Sequence, residues 1–259
     1  STSSSSSSSR EAQTYENNNS RAWERADDVM GPRQRGPALH ASTLIRLLRC
    51  LVQARAFPSK PWLAECFAQV EQQAHALNAV DVVNALWALG QMRRRPPVPH
   101  LALLMQKAYV HMAELPLEAL VGVIWAAAQL GARPSVPWAE RFLRLAFRSR
   151  DRMTPRMVAN TLLSLARLHL RPNRRFVHGL LLPLRPLLVS TAGGADTVQL
   201  AMALPALKHG LPAEMVPEFQ CLIDAKLPRL RNPVARGVAC KGWASLGLRV
   251  EEPWRESEA

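Results

Sequence analysis

A Pro-aromatic pair returns along the chain at Pro61-Trp62, Pro137-Trp138 and Pro253-Trp254, with Pro99-His100, Arg175-Phe176 and Glu214-Met215 at the intervening positions. Successive marks are 38, 38, 38, 39 and 39 residues apart. A second series advances in step with the first: Asn84 with Trp87, Gly122 with Trp125, Asn160 with Leu163, Gln199 with Met202, and more loosely Gly242 with Trp243, where the step stretches to 41. Two markers moving together mean one structural unit copied along the chain, and a unit of this length cannot bury its apolar face except against its neighbours.

The unit is helical. Leu and Ala, both strong helix formers, dominate it, and no stretch alternates apolar and polar residues as a half-buried strand would. In the first complete unit Leu63, Cys66, Phe67, Val70, Ala74 and Leu77 recur at three- and four-residue spacing, which is one stripe of an amphipathic helix. The second helix of that unit, from Asp81 to Met92, is apolar nearly all round and needs cover on several sides. The expected fold is therefore all-α, an alpha-solenoid of tandem helix-turn-helix repeats of about 38 residues. Residues 1–40 read as a low-complexity extended arm, residues 41–254 as the array of about five full repeats plus partial ends, and residues 255–259 as the C-terminal end. Pro205, inside the run from Leu204 to Leu207, should kink or end its helix. No polar capping helix follows Pro253-Trp254, and the chain opens at Ser1 without Met, so we expect a processed or partial chain whose open end a partner or further protein covers.

At a fixed phase of an apolar helix, Trp87, Trp125 and Trp243 are expected to pack in the core rather than to present stacking platforms for bases. Removing such an indole should cost about 3 to 5 kcal/mol. Cys50, Cys66, Cys221 and Cys240 fall within apolar helical patterns without C-x-x-C spacing, which argues for free thiols in a reducing compartment. Every apolar run is broken before about 18 residues, so no membrane-spanning helix is expected.

The formal charge is +13, and 28 of the 33 basic residues are Arg. Residues 1–40 carry five Arg against five acids, whereas residues 41–248 carry 26 basic against 11 acidic residues, so the excess lies in the repeats. Arg pairs bidentately with phosphate and stacks on bases, which favours a nucleic-acid partner. Its placement is periodic. Connections from a second helix to the next first helix carry Arg93, Arg94 and Arg95, then Arg133, then Arg171, Arg174 and Arg175, then Lys208. The opposite connections carry Arg148, Arg150 and Arg152, and later Arg229 and Arg231. We take these as the phosphate-contacting set. Residues 133–175, with eleven Arg against Glu140 and Asp151, form its expected centre. If about six phosphates are engaged, single-stranded binding should fall with salt at a log-log slope near −4. Base contacts, if the array reads bases, should come from polar residues on the exposed side of the second helices: Asp81, Asn84, Glu118, Arg156, Asn160, Asp196, Gln199 and Arg236. Asn84 and Asn160 have a second reading, as bonds to backbone groups between repeats.

The segment from Met153 to Leu168, with its Thr154-Pro155 start and Asn160 core, resembles the signature of the octotricopeptide repeat family. The stretch from Val83 to Leu89 and Pro61-Trp62-Leu63 match other parts of that unit. The period agrees, where tetratricopeptide and ankyrin arrays run at about 34 and 33 residues. The likeness is good in the first three full units and decays after them: Gly122 and Gln199 stand for Asn, and Leu163 and Met202 for Trp. It implies an RNA-binding helical array acting on chloroplast or mitochondrial transcripts, in some cases within an organellar ribosome. No metal-ligand motif, phosphate-binding Gly loop or nucleophile turn occurs, so no enzyme, cofactor, metal or small-molecule substrate is expected. The expected partners are RNA, ribosomal RNA first, and neighbouring ribosomal proteins, in an organelle and in the mitochondrion ahead of the chloroplast. A transcript stability, maturation or translation factor is the nearest alternative. A protein-protein interaction scaffold is the alternative of another class.

Overall fold

Prolines open the helices rather than break them. Pro61, Pro99, Pro137 and Pro217 are each the second residue of a helix, and Pro155 and Pro233 the first, where a missing N–H breaks no intrahelical bond. This is the physical content of the Pro-aromatic mark. A computed structural model describes residues 39–250, all-helical in its regular structure and without a strand among those residues. All but the last two residues of the 1–40 arm, the Pro253-Trp254 mark and the 255–259 end lie outside them.

The chain forms two packed units, one through His111 and one from Met112. In the first, α1 (Ala41–Gln53), α2 (Lys60–Gln72), α3 (Ala79–Met92) and α4 (Val98–His111) follow one another. The second-type helices α1 and α3 pack on each other, α2 packs on α4, α1 also touches α2, and α3 touches α4. Leu44, Ile45, Leu48, Leu63, Phe67, Val82, Leu86, Leu89, Leu101 and Leu104 make the core. Ser59 and Asn78 cap α2 and α3, accepting the amide N–H of Trp62 at 3.4 Å and of Asp81 at 2.9 Å.

The second unit holds α5 (Leu117–Gln129), α6 (Val136–Arg148), α7 (Pro155–Arg167), α8 (Arg174–Leu181), the one-turn α9 (Leu188–Thr191), α10 (Gly194–Ala206), α11 (Val216–Lys226) and α12 (Pro233–Ser245). Here α5 packs on α7, α7 on α10 and α10 on α12, while α6 packs on α8 and α9 on α11. Helix α7, sandwiched between α5 and α10, buries Val158, Ala159, Thr161, Leu162, Leu163, Ser164 and Leu165, more than one face of an ordinary amphipathic helix. Each such Leu contributes about 1.5 to 3 kcal/mol by leaving water. Pro205 falls in the last turn of α10, which ends one residue later, at the same phase as the second helices that carry no proline there. Arg185, between α8 and α9, is ion-paired to Glu218 of α11, and that guanidinium holds the Glu218 carboxyl below the usual carboxylate range.

One backbone feature ties the helix ends to the sequence period. Arg55, Arg93, Gly131, His169, Lys208 and Gly247 all have left-handed backbone, with φ between 50° and 80°, and their spacings are 38, 38, 38, 39 and 39 residues. After each, the next amide N–H reaches five residues back: Ala56 to the Leu51 carbonyl at 2.8 Å, Arg94 to Leu89 at 3.2 Å, Ala132 to Ala127 at 2.8 Å, Leu170 to Leu165 at 2.9 Å, His209 to Leu204 at 3.3 Å and Leu248 to Trp243 at 3.2 Å. This is the Schellman ending, which satisfies carbonyls that a helix C-terminus otherwise leaves bare. Seven residues beyond five of these turns come Trp62, His100, Trp138, Phe176 and Met215, all half-buried or buried, so the first marker of the sequence keeps one phase with the turns.

The same turns correct the fifth unit. Its second helix ends at Gly247 on a step of 39, not the expected 41. Trp243 then lies four residues before the turn, level with Leu89, Leu165 and Leu204, while Trp87 and Trp125 lie six before theirs. Trp243 is fully buried, as its phase demands, whereas Trp87 and Trp125 are only half-buried. Trp87 carries the guanidinium of Arg49 at 5.8 Å from its ring centroid.

Candidate nucleic-acid interface

Helix α6 has one apolar face, Trp138, Ala139, Phe142 and Ala146, and an exposed face with Glu140, Arg144 and Arg148. It closes at Ser149, and the next turn is the 3-10 segment Arg150–Arg152. Thr154 then caps α7, and Asn173 caps α8 by accepting the Phe176 amide N–H at 2.9 Å. Because α6 packs on α8, and the Arg150–Arg152 turn also contacts α8, the two basic connections flanking α7 come to one surface.

Phe147 is the hub of that surface. Its ring lies 6.1 Å from that of Phe176, tilted by 31°, and Arg150 sits over it with the guanidinium carbon 4.7 Å from the centroid. Arg150 also donates to the Phe147 carbonyl at 3.1 Å. Gly179 gives the ring its room, since a Cβ there would run into the Phe147 ring edge. Beside Phe147 opens a groove of about 250 Å³ lined by Leu143, Arg144, Phe147, Pro172, Asn173, Arg175 and Phe176. The carbonyl of Pro172 accepts a bond from His209 Nε2 at 2.8 Å, so α10's C-terminal turn pins the groove's loop. A second cavity of about 300 Å³ lies where α5 begins and α6 ends, with Glu118, Ser149 and Arg152 among its lining.

Of the expected phosphate-contacting residues, Arg133, Arg148, Arg152, Arg171, Arg174, Arg175, Lys208, Arg229 and Arg231 are exposed. Arg150 is half-buried against Phe147 and lies 3.8 Å from Asp151. In the first unit Arg93 is exposed at its left-handed turn, and Arg95 is half-buried. Arg94 is half-buried and donates to the Pro58 carbonyl, so it ties the α3 end to the α2 start. His209 makes the equivalent bond to Pro172 in the second unit, each from the residue just after a left-handed turn. Arg93 and Lys208 occupy two of those turns, where a cation also faces the negative end of the helix dipole.

The expected base-contacting residues divide. Glu118 and Arg156 are exposed, and Asn160 and Gln199 half-buried, on the open stripes of α5, α7 and α10. Asp81, Asn84 and Asp196 are buried, against the expectation of an exposed side. Asp81 accepts the Ser42 hydroxyl at 2.6 Å, Asn84 accepts from the Arg49 guanidinium, and Asp196 accepts the Gly193 amide at 2.8 Å. A short carboxylate or amide in the first turns of a helix finds an N–H or a neighbouring helix more readily than solvent. The Asn84 bond does join neighbouring helices, but side chain to side chain rather than to backbone. Arg236 is half-buried with its guanidinium on the Leu230 carbonyl.

Two residues at the groove stood in the basic stretch without being singled out. Arg144 and Phe147 share a face of α6 at i, i+3 spacing, and that pairing of cation and aromatic, one turn before a basic connection, was the available signal. Among the described residues no group of three or more His, Cys, Asp or Glu could hold a metal ion, and no helix is long and apolar enough to cross a membrane. No family model matches the chain, and no curated protein matches it as a relative.

Proposed function

We propose that this chain is a non-catalytic RNA-binding alpha-solenoid whose repeating unit is the 38-residue helix pair, and that its contact with RNA is centred on residues 133–175. The observation that carries the reading is the exposure of Arg133, Arg144, Arg148, Arg152, Arg156, Arg167, Arg171, Arg174 and Arg175 in that stretch, against only Glu140 and Asp151. A surface of this sign draws a polyanion, and guanidinium groups at helix ends and turns pair with phosphate oxygens. The repeated Schellman endings and the packing of every second helix on the next support the solenoid within each unit.

The fate of the base-contact candidates favours scaffolding over reading. Asp81, Asn84, Asp196 and Arg236 are engaged with the protein itself, so a base-by-base code would have to run on the few that remain. A helical array that holds folded RNA mainly by its phosphates suits a ribosomal component, and the motif resemblance favours an organelle, the mitochondrion ahead of the chloroplast. Charge reversal at Arg133, Arg148 and Arg171 tests RNA contact without touching the core. Ultraviolet crosslinking to RNA should fall at least tenfold, and unchanged crosslinking rejects the basic surface. Co-sedimentation of the native chain with a ribosomal subunit at moderate salt tests the finer role. A free pool on the gradient argues for a transcript factor, and a defined protein partner without RNA for a scaffold.

A further inference from the structure

The groove beside Phe147 combines two chemistries that no single simple ligand uses. Its floor is apolar, built from Leu143, Phe147, Pro172 and Phe176, and its lips are Arg144 and Arg175, both exposed and without an acidic partner among the described residues. A free phosphate would leave the floor in water, and an aliphatic chain would leave the guanidinium groups unused. A nucleotide within a strand satisfies both at once, the base on the floor and its phosphates on the lips. We propose that this groove takes one unstacked nucleobase of a single-stranded RNA segment, with Arg144 and Arg175 on the flanking phosphates. The proposal rests on the RNA-binding reading above and adds to it a defined base subsite.

Size and rigidity agree. At about 250 Å³ the groove falls below the range of about 300–1,000 Å³ typical of small-molecule pockets, which fits one flat ring entering from an open side. Phe147 is held from behind by Arg150 over one face, by Phe176 and by the bare Gly179, and the Pro172 carbonyl is fastened by His209. Little ordering remains to be done on binding. Asn173 spends its side-chain oxygen on the Phe176 amide and keeps its NH₂ as a donor at the groove's edge. A strand rather than a single nucleotide is favoured because the surrounding residues 133–175 carry eleven Arg and two acids, a charge suited to several phosphates in succession.

The test compares a short single-stranded RNA with an oligomer of the same length and backbone whose central positions are abasic, both labelled for fluorescence anisotropy. The native chain should bind the abasic oligomer about tenfold more weakly, the scale of one stacked base. Phe147→Leu keeps an apolar side chain against Gly179 and should remove most of that difference, while Arg144→Ala with Arg175→Ala weakens both oligomers. Equal binding of the two oligomers by the native chain overturns the base subsite and leaves RNA binding standing. No binding of either at low salt overturns both readings. Stronger competition by a Phe-containing poly-Glu peptide than by RNA assigns the groove to an acidic protein segment and also overturns the proposal. Should Phe147→Leu fail to fold by circular dichroism, the native comparison and the double Arg variant decide.

Discussion

Gly242→Ala should be among the most damaging single changes in the second unit. Helix α12 approaches α10 so closely at this point that an added Cβ would run into the Ala201 carbonyl oxygen, with the carbonyl carbon at 2.8 Å and Ala201 Cβ at 3.1 Å. The obstacle is backbone, so no side chain can swing away, and restoring ordinary contact means moving the two helices apart by roughly 1 Å, a gap that forfeits a quarter to a half of each dispersion contact across it. That seam is lined by Leu200, Ala203, Leu204, Ala239, Cys240 and Trp243, all buried. Overpacking of this kind costs about 1 to 3 kcal/mol, and the backbone clash puts Gly242→Ala at about 3 kcal/mol. The matched control is Gly122→Ala in α5, where a Cβ meets nothing within 4 Å and the gain in helix propensity should stabilise by about 0.5 to 1 kcal/mol. Urea unfolding followed by circular dichroism reads both. An unfolding free energy for Gly242→Ala within about 0.5 kcal/mol of native refutes the packing described for α10 and α12, and a lower stability for Gly122→Ala refutes the open space described beside α5.

The left-handed turns give a second set: Arg93→Gly and His169→Gly should each stabilise by about 0.5 to 1 kcal/mol by relieving side-chain strain, while Gly131→Ala should cost about 1 to 2 kcal/mol. The same unfolding assay checks the opposite signs. Burial pushes the Cys66 thiol up to about 12, with Glu65 adding to it, and Cys240 is buried as well, whereas Cys50 and Cys221 are exposed. A thiol reagent at pH 8 should therefore label Cys50 and Cys221 quickly and reach Cys66 and Cys240 only in denaturant; rapid reaction of Cys66 in the native chain contradicts the core around α2. Glu218 is held ionised by Arg185, so its contribution is present above the unfolded carboxylate value of about 4.3 and is lost as pH falls through the lower folded value. The melting-temperature difference between native chain and Glu218→Gln should shrink below about pH 4, and a difference that stays constant would mean the ion pair adds nothing.

Much of the fold is written in the chain as punctuation. Pro61, Pro99 and Pro137 could be read as helix openings because only the first turn tolerates a residue without an N–H. The phase of Trp243 could not, because an indole at an apolar helix looks the same two positions earlier or later; the left-handed Gly247, not the Trp, marks the register. Non-glycine turns at Arg55, Arg93, His169 and Lys208 hid that register, since their side chains carry no sequence sign of positive φ. At the candidate interface, net Arg excess was legible by counting. Which Arg residues face solvent was not: Arg94 and Arg236 end on backbone carbonyls, and whether a long guanidinium reaches water or a bare carbonyl depends on a turn elsewhere in the chain. The groove was missed because Phe147 and Phe176 are 29 residues apart and meet only through the packing of α6 on α8.

The central claim is that phosphate contact at residues 133–175 holds RNA. Affinity of the native chain for a single-stranded RNA, measured by anisotropy across a salt series, should fall with a log-log slope near −4, and near −2 when Arg133, Arg148 and Arg171 are reversed to Glu, as for about six phosphates and about three. No binding at low salt, or a slope that the reversal leaves unchanged, contradicts it.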